Sequence, residues 1–454
     1  MKNKKILNGK LVNIHTPAWL ISIILLIVLM TSYEGQAQTW SLQMCIDTAQ
    51  VHNKSLQISR NNISISEQKQ KEAVSNLIPK VNITGDYKYF FDLPYQLMPL
   101  STFNPAASEG QFKEAQFGVP HNINAAIRVS MPLYNPQING GIRSSKIASE
   151  VSVLQYQKTE EQVFFEISNL YYNIQILQNQ LAFVDSNIVN TSKLLENLEL
   201  LHQQLMAKGT DVKKAELQLE QLKTQKDIIA NNAEQVLNAL KLSMGKPSTL
   251  NLQIEKELQF SINEYSTSTT VDLHLADMHN RLLTSELKTL RNSRLPTVAL
   301  YGSYGQTGYG YDKQPDSFLK FFPTSLVGIQ FSYPLFNGTV TSRKINQKEL
   351  EIQNSRLQIS LLNDQNNMLI ENAKRSRAVT QKTIANTLEQ IKLAQTVYEQ
   401  TNLQLKEGTS GLSDLLLADN TLREAQQSYL SAVVEYLKAD LELKKLTGNL
   451  TIKD

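Results

Sequence analysis

Four short landmarks occur twice along the chain in the same order, and this repetition constrains the fold more than any other feature of the sequence. The segment "LIPKVNITGDY" matches "RLPTVALYGSY", and "MPLYN" matches "YPLFN". Further on, "LMAKGT" matches "LKEGT", and "LKLSMG" matches "LKKLTG". Chance is a poor explanation for four pairs in one order, so the sequence predicts an internal duplication. The predicted parts are a first repeat over residues 38–245, a joining segment over 246–270, a second repeat over 271–448 and a tail over 449–454.

Each repeat contains two segments in which apolar and polar residues alternate, and this period of two predicts strands with one apolar and one polar face. Each segment is near the ~10 residues that a tilted strand needs to cross a bilayer. The four segments are residues 81–91, residues 125–133, a glycine-rich run from Thr297, and residues 327–335. The charged residues on the polar parity are Asp86, Lys88 and Arg128.

The remainder of the chain favours long helices. Glycine and proline are scarce, at 18 and 13 of 454 residues, and apolar residues recur at heptad spacing. The segment 137–205 alone predicts a helix of about 70 residues, or about 100 Å at 1.5 Å per residue. A compact globule has no need of such a helix, whereas a tube or a rod does. Two further heptad seams run from Val212 to Leu240 and from Leu415 to Leu446. The predicted order in each repeat is helix, strand, loop, strand, long helix, turn, helix.

The repeated Pro-Leu-aromatic-Asn motif predicts a joint between a strand and the helix that follows it. Pro132 and Pro334 are expected to end the strands, because proline donates no hydrogen bond to a sheet. Asn135 and Asn337 are expected to cap the N-termini of the long helices.

The N-terminus predicts export. Four lysines precede a short apolar run and a small-residue cleavage motif ending at Ala37, so residues 1–37 are interpreted as a signal peptide, with an uncleaved anchor as the alternative. Removing them leaves 41 basic and 41 acidic residues, and this balance gives no reason to expect a nucleic-acid partner. The one cysteine, Cys45, excludes a cysteine-based metal cluster. It lies after a poor lipobox-like sequence, so lipidation is a weaker possibility.

No other apolar run is long enough for a transmembrane helix, so an exported chain of this kind enters a membrane only through its strands. Four strands cannot close a barrel, whereas three copies would supply twelve. The sequence therefore predicts a homotrimer that shares one barrel, with the apolar face toward lipid and the polar face toward a lumen. The alternative is a soluble four-stranded sheet packed on a core.

The duplicated joints, the Gly-Thr turns between helices and the starting segment "WSLQMCIDTAQVHNKSL" together resemble the TolC-type outer-membrane efflux proteins. The resemblance covers essentially the whole chain after residue 37. It implies an α+β membrane protein: a trimeric, 12-stranded transmembrane β-barrel with four strands per chain, continued by a long periplasmic α-helical barrel. It also implies an exit duct for an inner-membrane pump of the RND or ABC type, joined through a periplasmic adaptor protein. Such a duct is not an enzyme and has no catalytic residues, cofactor or metal.

The same resemblance implies roles for particular residues. Asp211 and Asp414 fall at the pore entrance, although the second aspartate of the family's pair is Leu417 here. The family's closing tyrosine and arginine are replaced by Leu405 and Ser410. A solvated carboxylate at a helix start is the alternative reading of Asp414. The tips that would contact the adaptor are Gly209, Thr210, Gly408, Thr409 and Ser410.

In the barrel, Asp86, Lys88 and Arg128 would face the lumen, and residues 92–123 would form the larger external loop, with a shorter counterpart near residues 311–324. Residues 246–270 would form a collar around the tunnel. Three other functions remain open from the sequence: a type I protein-secretion duct of the same fold, a periplasmic coiled-coil adaptor or scaffold, and an exported enzyme. No catalytic set of residues supports the last.

Overall fold

The computed structural model of the protein describes residues 39–102, 104–256, 264–311 and 319–450. The predicted signal peptide, residues 1–37, lies outside them. So do parts of the joining segment, of the shorter loop near residues 311–324 and of the tail. The predicted boundaries of the two repeats and of the joining segment remain a proposal.

The described residues contain seven α-helices, eight strands and one short 3-10 helix, Leu100–Thr102. The strands are β1 (Thr39–Trp40), β2 (Lys80–Tyr89), β3 (Tyr95–Pro99), β4 (Phe112–Gln116), β5 (His121–Tyr134), β6 (Gln253–Ile254), β7 (Thr297–Gly310) and β8 (Leu319–Ser332). The helices are α1 (Leu42–His52), α2 (Lys54–Ser75), α3 (Pro136–Gln203), α4 (Gly209–Ser243), α5 (Val271–Asn292), α6 (Val340–Lys406) and α7 (Leu412–Leu446). The order helix, strand, strand, long helix, turn, helix therefore occurs twice, as the sequence predicts.

The four long strands form one antiparallel sheet in the order β2-β5-β7-β8. Strands β3 and β4 form a separate antiparallel hairpin within residues 92–123, which the sequence predicted only as a loop. A short parallel pair joins β1 to β6. The predicted strand over 327–335 is shifted: β8 starts earlier and ends at Ser332, so its apolar pattern continues past the last residue of the ladder.

The two proline joints differ from each other. Pro334 follows β8, as expected. Pro132 does not end β5, since the strand continues to Tyr134 with a register irregularity after Pro132. The reason lies in the neighbouring strand: pairing with β2 stops at Ser130, so Pro132 has a strand partner on one side only. A proline is tolerated there because it leaves no ladder hydrogen bond unmade.

The two asparagines also differ. Asn135 caps α3, because its Oδ1 accepts hydrogen bonds from the backbone N–H groups of Gln137 and Ile138, at 3.0 and 3.3 Å. Asn337 does not cap α6 in this way. The helix starts three residues later, at Val340, and Asn337 donates from Nδ2 to the Thr341 hydroxyl at 2.5 Å. The extra residues between strand and helix separate Asn337 from the first turn.

The chain divides into two compact units, each assembled from three segments. The first comprises Met1–Asn53, Glu166–Ser261 and Lys382–Leu437, and the second comprises Lys54–Phe165, Ile262–Gln381 and Lys438–Asp454. The first unit holds the turns between the long and short helices, and the second holds the sheet.

The predicted heptad seams form the cores of both units. In the first unit, the fully buried Tyr436 and Val433 of α7 pack with Ile384 of α6. In the second unit, the seam residue Leu443 of α7 packs with Ile370 and Ala373 of α6. Among the described residues, no helix has both the length and the hydropathy that crossing a membrane requires.

In the second unit, a charged network fixes the segment before α5 to the helices around it. The Tyr265 hydroxyl donates to Asp440 Oδ2 at 2.8 Å, and Arg377 Nε lies 2.9 Å from Asp440 Oδ1. The Arg377 guanidinium also lies 5.2 Å from the centre of the Tyr265 ring. Burial raises the pKa of the Asp440 carboxyl, and the bond from Tyr265 and the charge of Arg377 only partly offset it.

Candidate functional site

The turn between α3 and α4 is closed by backbone hydrogen bonds around a leucine in the left-handed conformation. Leu205 has a φ of +62°. The N–H of Met206 donates to the Leu201 carbonyl at 2.8 Å, which is the longer bond of a Schellman motif. The His202 ring closes the turn from its side, since Nδ1 lies 2.9 Å from the Ala207 carbonyl and must donate to it.

The turn between α6 and α7 has the same backbone design around a glycine. Gly408 has a φ of +70°, and the N–H of Thr409 donates to the Gln404 carbonyl at 2.9 Å. Leu205 and Gly408 are therefore equivalent, 203 residues apart. The same interval separates Asp211 from Asp414.

The two Gly-Thr pairs were predicted to be equivalent, but they lie 199 residues apart, whereas the equivalent positions of the two turns lie 203 residues apart. The predicted equivalence is therefore wrong. Gly408, Thr409 and Ser410 do lie in their turn, but Gly209 and Thr210 are the first two residues of α4. The sequence analysis took a Gly-Thr pair as the turn in both repeats, whereas the left-handed residue of the first turn is Leu205.

The two turns lie side by side in the first unit. Leu198 of α3, Ala215 of α4 and Leu412 of α7 form one buried apolar cluster, against which the neighbouring residues of both turns pack. The Lys214 ammonium of α4 also donates to the Ser413 hydroxyl of α7 at 3.5 Å. The fold thus brings together the two predicted turn sites.

Asp211 and Asp414 each occupy the third position of a helix, α4 and α7 respectively. Asp414 is exposed, and its Oδ2 accepts from the Gly411 backbone N–H and from the Ser410 hydroxyl, both at 3.0 Å. This bond to the N-cap backbone is half of a capping box. Asp414 therefore does act as a helix-start carboxylate, which leaves its second oxygen available for a further role. Asp211 is half-buried.

A buried ion pair five residues beyond Asp414 was missed by the sequence interpretation. Asp419 is buried on α7, and its Oδ2 lies 2.8 Å from the Arg423 guanidinium. Burial raises the pKa of the Asp419 carboxyl, against the opposing charge of Arg423. Gln218 of α4 also accepts from Arg423 when its amide oxygen faces the guanidinium. The spacing of four between Asp419 and Arg423 was the available signal.

Replacing Leu205 by glycine is expected to stabilise the protein by about 1 kcal/mol, because a left-handed φ is costly for a side chain with a Cβ and free for glycine. The Leu205 side chain is 92% exposed, so little packing is lost. Thermal unfolding of the purified protein measures the effect. Met206→Gly is the matched control: Met206 is also exposed but its φ is not positive, so this change is expected to destabilise slightly. Equal losses for both variants would contradict the assigned turn.

In the second unit, the large apolar side chains on one face of the four-stranded sheet are exposed. Cross-strand pairing puts Ile83 beside Ile127, Val129 beside Gly302, and Gly302 beside Val327, all on this face. Val327 is 82% exposed. Within the described chain, no core covers this face, so the sheet is not the core-packed soluble sheet considered from the sequence. Its other exposed members are Val81, Tyr87, Tyr304, Phe321, Ile329 and Phe331.

The opposite face carries the charged residues predicted for a lumen. Lys88 Nζ lies 3.2 Å from Asp86 Oδ2, and Asn124 donates to Asp86 Oδ1 at 3.3 Å. Arg128 lies on the same face, opposite Asn82. The structure thus brings Asp86 and Lys88 into contact and places Arg128 four residue pairs along the β2–β5 ladder from Asp86. Phe322 and Leu326 of β8 depart from the pattern, since they share this face.

Metal-binding side chains show no clustering: within the described ranges, no group of three or more His, Cys, Asp or Glu residues is arranged to hold a metal ion.

Comparison with known proteins agrees with this architecture. Outer membrane protein TolC of Salmonella enteritidis is 19% identical over 449 residues, an alignment that covers 94% of this chain and 85% of that protein. The Campylobacter jejuni CmeC outer membrane channel has a TM-score of 0.72 at 15% identity, over 91% of this chain and 87% of that one. The open state of the Neisseria gonorrhoeae MtrE outer membrane channel has a TM-score of 0.71 at 17% identity, over 90% of this chain and 89% of that one.

The sequence match to a family is concentrated in the second half of the chain. Residues 272–449 match the family described as outer membrane efflux protein, which is a family of transport channels. The solved channels share the fold over about nine-tenths of the chain. The sequence match over residues 272–449 and the fold shared with the solved channels thus make this chain similar to outer membrane efflux proteins.

Proposed function

We propose that this protein is the outer-membrane exit channel of a tripartite efflux system, which passes substrates from an inner-membrane pump through the periplasm and out of the cell. The observation that carries the proposal is the exposed apolar face of the four-stranded sheet. A water-soluble protein rarely exposes a continuous apolar surface of this kind, whereas lipid stabilises it. A periplasmic adaptor or scaffold would leave this face without a partner.

The sheet also supports a trimer. Strands β2 and β8 are its two edges, and each has a neighbour on one side only within the chain. Open edges are not tolerated in the hydrocarbon of a membrane, because their N–H and C=O groups would lack hydrogen bonds. Three copies of a four-stranded sheet would pair β2 of each with β8 of the next and close twelve strands.

In this arrangement the polar face, with Asp86, Lys88 and Arg128, lines the lumen. The β3–β4 hairpin is then the external loop, and the long helices α3 and α6 form the periplasmic duct. The helix turns lie at the end of the duct that meets the periplasmic adaptor, with the pump, of the RND or ABC type, beyond it. The protein catalyses no reaction itself.

The entrance of the duct is proposed to carry a ring of carboxylates. Three copies would bring together three Asp414 side chains, with the equivalent Asp211 on the neighbouring turn. Hydrophobic side chains stand at Leu405 and Leu417, and Leu405 packs in the cluster that joins the two turns. Closure in this chain is therefore proposed to rest on apolar contacts more than on charged ones.

Conductance in planar lipid bilayers tests both the channel and the ring. The purified protein is expected to form ion-conducting channels that a trivalent cation blocks from the periplasmic side. Asp414→Asn is expected to weaken the block by about tenfold or more, since a ring of like charges concentrates cations. Asparagine retains a cap acceptor, so the turn is expected to survive.

Asp364→Asn is the control for this experiment, because Asp364 is an exposed aspartate of α6 away from the turns. Its block is expected to match that of the wild type. Absence of any conductance would contradict the proposed channel. Conductance with equal block in the wild type and in Asp414→Asn would retain the channel and remove the carboxylate ring.

A further inference from the structure

One carboxylate in the second unit, among the described residues, is buried without a direct ion-pair partner. Glu161 of α3 is 8% exposed. In the described part of the chain, its carboxylate has no hydrogen bond and no cationic side chain within the 4.0 Å of an ion pair. Burying an ionised carboxylate in this way is costly unless it is paired. Glu161 therefore stands apart from the other charged residues around it, each of which has a partner of its own or lies in solvent.

The nearby basic groups are already engaged. Lys158 Nζ lies 2.7 Å from Asp272 Oδ1. Lys445 Nζ lies 5.0 Å from the centre of the Phe165 ring. Each of these two ammonium groups thus already interacts with a side chain other than Glu161.

Glu161 lines a cavity of about 260 Å³. Its walls combine this carboxylate with apolar side chains of three helices, namely Phe165, Leu362, Leu369 and Leu446. The cavity shares Asp272, Leu362 and Gln365 with a larger groove of about 860 Å³, which continues between α3, α5 and α6. Besides these apolar side chains the cavity is lined by three carboxylates, Glu161, Asp272 and Glu442, and by one ammonium group, Lys445. A small cavity with a net negative lining and an apolar part, next to a longer groove, suits an elongated ligand that carries a positive charge.

We propose that this cavity and groove bind an amphipathic organic cation, whose ammonium group pairs with Glu161 and whose apolar body lies along Leu362 and the groove beyond it. The ligand class follows from the lining: three carboxylates against one ammonium group, with Glu161 unpaired, favour a positive charge, and Phe165, Leu362, Leu369 and Leu446 offer a surface for an apolar body. The site lies wholly in the second unit, and its existence does not depend on the efflux function.

The charge state of Glu161 makes this binding sensitive to pH. Burial raises the pKa of the Glu161 carboxyl, and Asp272 and Glu160 raise it further, while Lys445 and Lys158 oppose them. Glu442 also lines the cavity. A protonated Glu161 offers no charge to a cation, so affinity is expected to rise with pH as Glu161 ionises.

The test uses the full chain in detergent and a fluorinated probe, 4-(trifluoromethyl)benzylammonium, followed by ¹⁹F NMR line broadening. Saturable binding is expected, and the uncharged analogue 4-(trifluoromethyl)benzyl alcohol is expected to bind about tenfold more weakly or less. Glu161→Gln is expected to reduce affinity for the ammonium probe by about tenfold and to remove its pH dependence. Glu150→Gln, an exposed glutamate of the same helix outside both cavities, is expected to bind as the wild type does.

A second variant guards against a fold defect in the first. Lys445→Gln removes an opposing positive charge and is expected to increase affinity for the ammonium probe without affecting the alcohol. No saturable binding to the wild type would overturn the proposal, as would equal affinity for the ammonium and the alcohol, or unchanged affinity in Glu161→Gln. Planar-bilayer conductance of the same preparation reports on the channel independently, so each proposal is able to fail alone.

Discussion

Val327→Arg is expected to destabilise the assembled barrel by about 2–4 kcal/mol, while the same change at the adjacent Leu326 has little effect. The two residues are neighbours in β8, but they point to opposite faces of the sheet. An arginine on the lipid face near the middle of the bilayer loses its hydration, and this carries the quoted cost. An arginine on the lumen face stays in water.

The amount of folded protein in purified outer membranes, together with its thermal dissociation, measures the difference. Both variants replace an exposed apolar residue with the same charged one, with exposures of 82% at Val327 and 51% at Leu326. A general intolerance of β8 to arginine would therefore affect both. Equal loss in the two variants would contradict the assignment of the Val327 face to lipid.

Arg377→Met is expected to destabilise the protein by about 3–5 kcal/mol, the second largest effect. Arg377 and Asp440 form an ion pair with side chains only 12% and 17% exposed. Removing this cation leaves the Asp440 charge buried with the Tyr265 hydroxyl and the more distant charge of Lys444 to offset it, and a poorly compensated buried charge is strongly destabilising. The double variant Arg377→Met/Asp440→Leu is expected to recover most of the loss, since it removes both charges.

The neighbouring pair Lys374–Glu371 on the same helix provides the control. Its side chains are 52% and 65% exposed, so Lys374→Met is expected to cost at most about 1 kcal/mol. Denaturant unfolding of the three variants and the wild type measures all four values. A loss for Arg377→Met no greater than that for Lys374→Met would contradict the role given to the buried network.

The sign of the pH dependence follows from the raised pKa of Asp440. A carboxyl whose pKa is higher in the folded state binds its proton more readily there, so its contribution to stability is present at low pH and is lost as pH rises through the folded pKa. Loss of Arg377 raises that pKa further. The deficit of Arg377→Met is therefore expected to be largest at neutral pH and to shrink as the pH falls toward the folded pKa.

Much of the fold followed from local periodicity. The strand from residue 81 alternates with a period of two because one face meets a different environment from the other, and the long helices repeat at heptad spacing because they pack on one another. These patterns predicted the element order and the partition of Asp86 and Ile83 onto opposite faces, and the structure has both.

The differences arose where a local motif has more than one backbone solution. A Gly-Thr pair predicted both turns, but the first turn places Leu205 at the left-handed position and so moves Gly209 into a helix. The Pro-Leu-aromatic-Asn motif also has two solutions. Asn337 was expected to cap α6, but the helix starts only at Val340, and Asn337 instead donates to the Thr341 hydroxyl.

The contacts between distant segments were not accessible to sequence reasoning. The Tyr265–Asp440 bond joins residues 175 positions apart, and nothing in the local sequence marks either residue. The buried, unpaired state of Glu161 likewise depends on side chains from α5, α6 and α7 that only the tertiary structure brings around it.

The side of the outer membrane on which the β3–β4 hairpin lies decides whether the sheet spans that membrane. Cys45 is replaced by serine, a cysteine is placed at Ser108 in the exposed tip of the hairpin, and intact cells are treated with a membrane-impermeant maleimide. A matched protein carries its cysteine at Glu407, in the exposed turn after α6. Ser108→Cys is expected to label as strongly in intact cells as in lysed cells, while Glu407→Cys is expected to label only after lysis. Labelling of Ser108→Cys only after lysis, with normal export, would contradict a sheet that spans the outer membrane.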